Sequence, residues 1–147
     1  MRSSSPRLGF SLIELTAVIG IAVLLLLLTL PNYQTIRRTI SVQNQATEVE
    51  ETLRLAQIRA LTAQDGTAHG VHFSTGQYVL FGGEWANPTY AVAHDLQQGV
   101  QVLSGAGVTV TFRRLAGTAN AATIVIGLPG DNPKTIQVDA TGKISAL

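Results

Sequence analysis

The 147-residue sequence predicts an α+β protein, one long N-terminal helix carrying a small antiparallel β-sheet or sandwich. Three observations predict it. A strongly apolar run of membrane-spanning length opens the chain. An amphipathic pattern of helical period follows. Beyond that, short runs rich in Val, Ile, Thr and Phe alternate with Gly, Asn, Asp and Pro turn signals.

The first element is the apolar run. No charged residue lies between Leu15 and Ile36. A helix crossing the hydrocarbon core takes about 20 mostly apolar residues, and Phe10 to Leu30 supplies 21. Glu14 is its only ionisable side chain. Thirteen Leu, Ile and Val residues from Leu12 to Leu30 favour insertion by about 4–8 kcal/mol in total. A carboxylate costs roughly 2.5–3.5 kcal/mol at the bilayer centre, less near a helix end. Insertion wins, but Glu14 remains a burden that a neutral residue would remove. It reads either as a functional acid with a nearby partner or as one snorkelling to the interface.

Residues 1–9 before the run are short, polar and basic, with Arg2 and Arg7. A secretory signal peptide has an apolar core of about 7–15 residues and a small-x-small cleavage site. This run is longer, and Thr29-Leu30-Pro31-Asn32-Tyr33 offers no such site, so the anchor is expected to stay on the mature protein. Arg37 and Arg38 behind the span leave the positive-inside rule only a slight preference for a cytoplasmic N-terminus.

The second element, residues 31–65, continues the helix. Ala46, Val49, Leu53, Ala56 and Ala60 recur at spacings of three and four and define one buried face. Glu50 and Arg54 stand at i,i+4 on the surface. Pro31 removes one backbone bond and predicts a kink. Asp65-Gly66 is expected to end it as a turn or C-cap. Helical throughout, Phe10 to Gln64 spans about 80 Å at 1.5 Å per residue, with the second half packing its small residues on a sheet.

Residues 66–147 are the expected β domain. Val71-His72-Phe73 and Tyr78-Val79-Leu80-Phe81 flank Ser74-Thr75-Gly76-Gln77 as a hairpin. Gly82 to Pro88 reads as loop. Val100 to Leu103 and Val108 to Phe112 are strands across Gly105-Ala106-Gly107, and Thr123 to Ile126 is another. Pro129 to Pro133 is a turn. Thr135 to Val138 and Lys143 to Ser145 close the chain across Ala140-Thr141-Gly142.

Composition narrows the function. Ten Lys and Arg face nine Asp and Glu, and without Arg2 and Arg7 the chain is near neutral, so nucleic acid is not expected as a main partner. With no cysteine, disulfides and thiolate metal sites are excluded. His69, His72 and His94 match no ligand spacing, and no metal or cofactor is expected. Glu48, Glu50 and Glu51 read as a solvated helix face. Asp131 and Asn132 are too few oxygen ligands for calcium. Gly82-Gly83 precedes no helix, and Pro88 bars glycosylation at Asn87-Pro88-Thr89. No nucleophile elbow, phosphate loop or Ser/His/Asp order appears, so the chain is not expected to be an enzyme.

Gly9-Phe10-Ser11-Leu12-Ile13-Glu14-Leu15, the apolar run and Pro31 together resemble the N-terminal signature of type IV prepilins and pseudopilins. The resemblance covers Gly9 to Pro31 without a break. It implies a pilin-like fold and a leader, residues 1–9, removed by a membrane prepilin peptidase between Gly9 and Phe10. It also implies N-methylation of Phe10, a transmembrane and assembly helix over 10–30, and an assembly role for Glu14. An amine freed on Phe10 and the Glu14 acid are each costly unpaired in an apolar medium, and pairing between neighbouring subunits answers both.

Leu53 to Ala60, the Val71-His72-Phe73 hairpin, Val110-Thr111-Phe112-Arg113 and Thr141-Gly142-Lys143-Ile144 are similar to the GspH/FimT group. That likeness implies a minor pseudopilin of a type II secretion system, held in the bacterial inner membrane by a single span. Its C-terminal domain would lie in the periplasm, and it would assemble with other pseudopilin subunits into a pseudopilus. The alternative is a minor type IV pilin acting in pilus biogenesis, twitching or DNA uptake. Some FimT-like pilins bind DNA through the C-terminal domain, which offers Arg113 and Arg114 as phosphate contacts. A solvated strand end is the plainer reading of that pair.

Overall fold

The structure, a computed structural model, describes residues 10–97, 99–130 and 132–147, with the side chains of 28–36 outside the described set. Ser11 opens helix α1 (Leu12–Leu61), its carbonyl accepting from the Glu14 and Leu15 amides. The chain divides into two compact units, one through Arg37 and the other Arg38–Leu147. The second half of α1 thus belongs with the β domain.

Two four-stranded antiparallel sheets follow. The first has the order β3-β2-β1-β5, with β1 (His69–Phe73), β2 (Gln77–Glu84), β3 (Asn87–Asp95) and β5 (Thr109–Phe112). The second has the order β4-β6-β7-β8, with β4 (Gln101–Ser104), β6 (Ala122–Gly127), β7 (Lys134–Val138) and β8 (Ile144–Ala146). The chain lays down a meander in the first sheet, crosses to β4, returns for β5, and completes the second sheet.

The predicted helix face is the buried one. Ala46, Val49, Leu53, Ala56 and Ala60 are all buried, joined by Val42 one turn earlier. They enter a single cluster with Val71, Phe73 and Phe112 of the first sheet and Ile124, Ile126 and Ile136 of the second. Alanine at three of the five predicted positions lets backbones approach closely. Burying the large aliphatic and aromatic side chains opposite contributes roughly 1.5–3 kcal/mol each.

Two expectations are corrected. The helix ends at Leu61 and does not run on to position 65; Asp65-Gly66 is a turn as expected, within a separate 3₁₀ turn, Gln64–Gly66. Ala63 and Asp65 take left-handed φ of 49° and 53°, which α-helix geometry excludes. Leu115 N–H binds the Ala60 carbonyl at 2.9 Å, occupying an acceptor at the helix end.

Gly82 to Pro88 is not a loop. It is the end of one hairpin arm and the start of the next, turning only at Trp85-Ala86. Gly83, at φ +89°, sits at a bulge in the β2–β3 register. Pro88 is tolerated because it stands second in an edge strand, beside the bulge. The nine-residue β3 lacks clean alternation because it lies at the sheet edge, and half-burial therefore left little pattern in its sequence.

His69 opens β1 and His94 is the penultimate residue of β3. Smaller shifts affect the ends of other strands. Val100 precedes β4, Val108 precedes β5, Ala122 opens β6, and the last strand starts at Ile144 rather than Lys143.

Candidate functional site

The predicted site residues fall in two separate places, each described by itself. In the N-terminal unit, Phe10 is 83 % exposed and Glu14 stands in the first helical turn. Every described side chain from Phe10 to Leu27 is exposed, and the apolar ones lie on all faces of the helix. A helix apolar all round finds its place in an apolar surrounding. An acid in the first turn is favoured by the helix dipole.

Among the described residues no helix is long and apolar enough to cross a membrane. Gly9 lies outside the described residues, as does the side chain of Pro31, while the helical assignment continues across position 31.

In the β-domain unit, Arg113 and Arg114 follow β5 and are exposed. The Arg113 amide donates to the Thr118 carbonyl, and Arg114 Nη1 donates to the Gly66 carbonyl at 3.1 Å. Arg113 borders a shallow hollow with Ala68, Thr111, Thr118 and Asn120. The two guanidinium groups therefore sit on the surface, one of them tied to the turn after the helix.

The three histidines do not converge. Among the described residues no group of three or more His, Cys, Asp or Glu side chains is placed to hold a metal. Asp131 lies outside the described residues. His94 stacks on the Tyr78 ring at 5.1 Å. His72 stacks on Trp85 at 4.0 Å and lies 2.8 Å from the Thr109 hydroxyl; burial holds its pKa below the ordinary histidine value. Glu50 pairs with Arg54 and Glu48 accepts from Gln45 Nε2, so the acidic run is an ordinary helix surface.

What sequence reasoning missed is a polar chain at the helix end. His69, fully buried, has Nε2 at 2.9 Å from the Gln64 carbonyl and Nδ1 at 2.9 Å from the Tyr90 hydroxyl. The carbonyl can only accept, so Nε2 carries a proton. Arg59 Nη1 donates to the same Tyr90 oxygen at 2.8 Å, and in the neutral imidazole Nδ1 accepts the Tyr90 hydroxyl proton. Tyr90 reaches across because the intervening strand position is Gly82, in register with both His69 and Tyr90. A Cβ at Gly82 would collide with the Tyr90 ring. No sequence spacing announces a chain assembled from one helix and two strands.

A second tie joins the helix to both sheets' connections. Gln57 Nε2 donates to the carbonyls of Gly117 and Gly142 at 3.3 and 2.8 Å. Gly142 must be glycine here: its φ is +87° and a Cβ would strike the Gly117 carbonyl. Nearer the chain's middle, Gln45 Oε1 accepts from the Gln97 amide, and Ser41 donates to the Gln97 side chain.

Comparison with known proteins gives these features a parallel. Neither known family models nor curated protein sequences match the chain. Two solved structures of the minor pseudopilin EpsH, from the type 2 secretion system of Vibrio cholerae, do match. One is 17 % identical with a TM-score of 0.55 and covers 73 % of this chain and 96 % of its own. The other is 16 % identical with the same TM-score, covering 73 % and 93 %. Over that 73 % the fold described above is thus similar to that of the minor pseudopilin.

Proposed function

We propose that this chain is a minor pseudopilin subunit of a type II secretion system, a structural protein and not an enzyme. One observation carries the reading: a minor-pseudopilin fold stands behind Gly9-Phe10-Ser11-Leu12-Ile13-Glu14, the prepilin-like signature, and a helix apolar on every described face. In this reading prepilin peptidase removes residues 1–9 at the cytoplasmic face of the inner membrane and Phe10 is methylated. Residues 10–30 then anchor the chain with its β domain in the periplasm. Glu14 of one subunit meets the Phe10 amine of a neighbour as subunits enter the pseudopilus. Pairing removes two costly lone charges at once, so register along the fibre follows from electrostatics.

The mass of the N-terminal peptide from native cells tests processing. A peptide beginning at Phe10 with one added methyl is expected; an intact, unmodified residues 1–9 overturns the reading. The same signature fits a minor type IV pilin, and partner capture separates the two. Secretion-system pseudopilins co-purifying with the chain support the first role, and pilus subunits support the second.

A further inference from the structure

The geometry points to Leu115 as an anchor by which this chain docks into a neighbouring fibre subunit of a different kind, at an apolar pocket with an acidic rim. The inference rests on the subunit role proposed above and adds the surface that makes one of its contacts. Leucine at position 115 is costly twice over. Its φ is +62°, in the left-handed region, where Cβ crowds the following carbonyl oxygen. Glycine escapes that crowding, and Asn or Asp tolerates it. The side chain is also 65 % exposed, and it belongs neither to the core cluster nor to the apolar residues packed against it. Neither the backbone nor the core therefore asks for leucine here.

The surroundings hold this conformation in place. The Arg113 amide donates to the Thr118 carbonyl and the Gly117 amide to the Arg113 carbonyl, so the loop closes on itself. The Leu115 amide donates to the Ala60 carbonyl and Arg114 Nη1 to that of Gly66, which pins the loop to the helix end and the turn after it. None of these bonds uses the leucine side chain. Backbone strain held from several sides is a mark of functional positions. A side chain displayed on a fixed loop also loses little freedom when it binds.

The apolar surface continues beyond Leu115. Gly117, without a Cβ, lies against the exposed side chain of Leu61, and exposed Ile58 follows one turn back along the helix. Arg113 and Arg114 are exposed on the same loop, against one acid, Asp65, in the adjoining turn. An apolar knob flanked by two cations is complementary to an apolar pocket whose rim is acidic. A second copy is a poor match. The hollow over β6 to β8 is lined by polar Thr123, Gln137 and Ser145 and carries Lys143 beside Asp139, and the hollow beside β5 is bordered by Arg113 itself. Of the helix acids, Glu50 is taken by Arg54 and Glu48 by Gln45. The partner is therefore a different polypeptide.

Ala116 is exposed and adjoins the anchor without being part of it. In native cells, the full chain with photoreactive p-benzoyl-phenylalanine in place of Ala116 is expected to cross-link to another polypeptide that itself begins with a prepilin-type signature. The adduct should be about tenfold stronger than from the same probe at exposed Asn87. Leu115→Asn, added to the Ala116 probe, is expected to lower the adduct about tenfold by removing the buried leucine. The melting temperature of that variant, purified in detergent, should stay level or rise by a few degrees, because Asn suits the left-handed backbone. Leu115→Met keeps the adduct, and Arg113→Glu weakens it where Arg113→Lys does not. Adducts with a second copy, adducts with lipid alone, a signal no stronger than at Asn87, or a Leu115→Asn chain that melts lower or still cross-links overturns the proposal. The N-terminal mass tells the two failures apart. A chain that starts at methylated Phe10 but gives no adduct removes the anchor and leaves the subunit role, whereas retention of residues 1–9 removes both.

Discussion

The Tyr90 hydroxyl serves two partners from one oxygen, accepting from half-buried Arg59 and donating to buried His69. Tyr90→Phe leaves His69 Nδ1 buried without a donor, which costs about 1–3 kcal/mol; chemical denaturation of the two proteins measures it. Tyr78 makes a separate prediction. Burial first, and Glu48 secondarily, push its ionisation up to about 12 against the Thr52 hydroxyl, which works the other way. No neighbour meets hydrogen-bond geometry at its hydroxyl, so Thr52 and Glu48 act by proximity alone. In the unfolded chain the phenol ionises near 10. The stability from keeping it neutral is complete below pH 10 and is lost as pH rises from 10 towards 12. A thermal-unfolding series over that window should show a falling melting temperature, shallower in Tyr78→Phe. Histidine adds a smaller effect of opposite slope: with its folded pKa lowered, His72 contributes above about 6.5 and the contribution is lost as pH falls below that value.

Among elements, the helix and most of the strands were legible in the sequence and the edge was not. The face from Ala46 to Ala60 could be read because burial there repeats with the helical period. The strands Val71–Phe73 and Thr135–Val138 could be read because one of their faces is buried. Strand β3 was hidden by its position: an edge strand half out of the core has no strong alternation to display. The polar chain at the helix end was hidden for another reason, since Arg59, His69 and Tyr90 meet only in three dimensions. The helix face makes a prediction of its own. Ala56→Leu adds volume where Ala56 is fully buried and is expected to cost about 1–3 kcal/mol by overpacking. Ile58→Ala, on the exposed face, should stay within about 0.5 kcal/mol. Urea unfolding of both variants decides it.

For the whole molecule, the N-terminal signature and the β domain carry different parts of the proposed role, so they should fail separately. Glu14→Ala removes the acid but leaves Gly9 and Phe10 intact. Processing is expected to proceed normally while incorporation into fibres falls, as read from the N-terminal mass and from the sheared fibre fraction; normal incorporation would remove Glu14 from assembly. The surface pair Arg113 and Arg114 is expected not to hold DNA. A mobility-shift titration with the full chain in detergent should give no salt-sensitive complex, because near-neutral charge supplies few released counterions.

One arrangement described above bears on how a fibre subunit would withstand pulling. Gln57 holds two carbonyls from separate connections, and Leu115 grips the last turn of the same helix. These ties, together with the alanine-lined contact, lie between Ala46 and the end of the helix and oppose sliding in parallel. A tug along the rod's axis therefore loads them simultaneously, as shear, instead of unzipping them one after another. The head should travel with its shaft under mechanical strain.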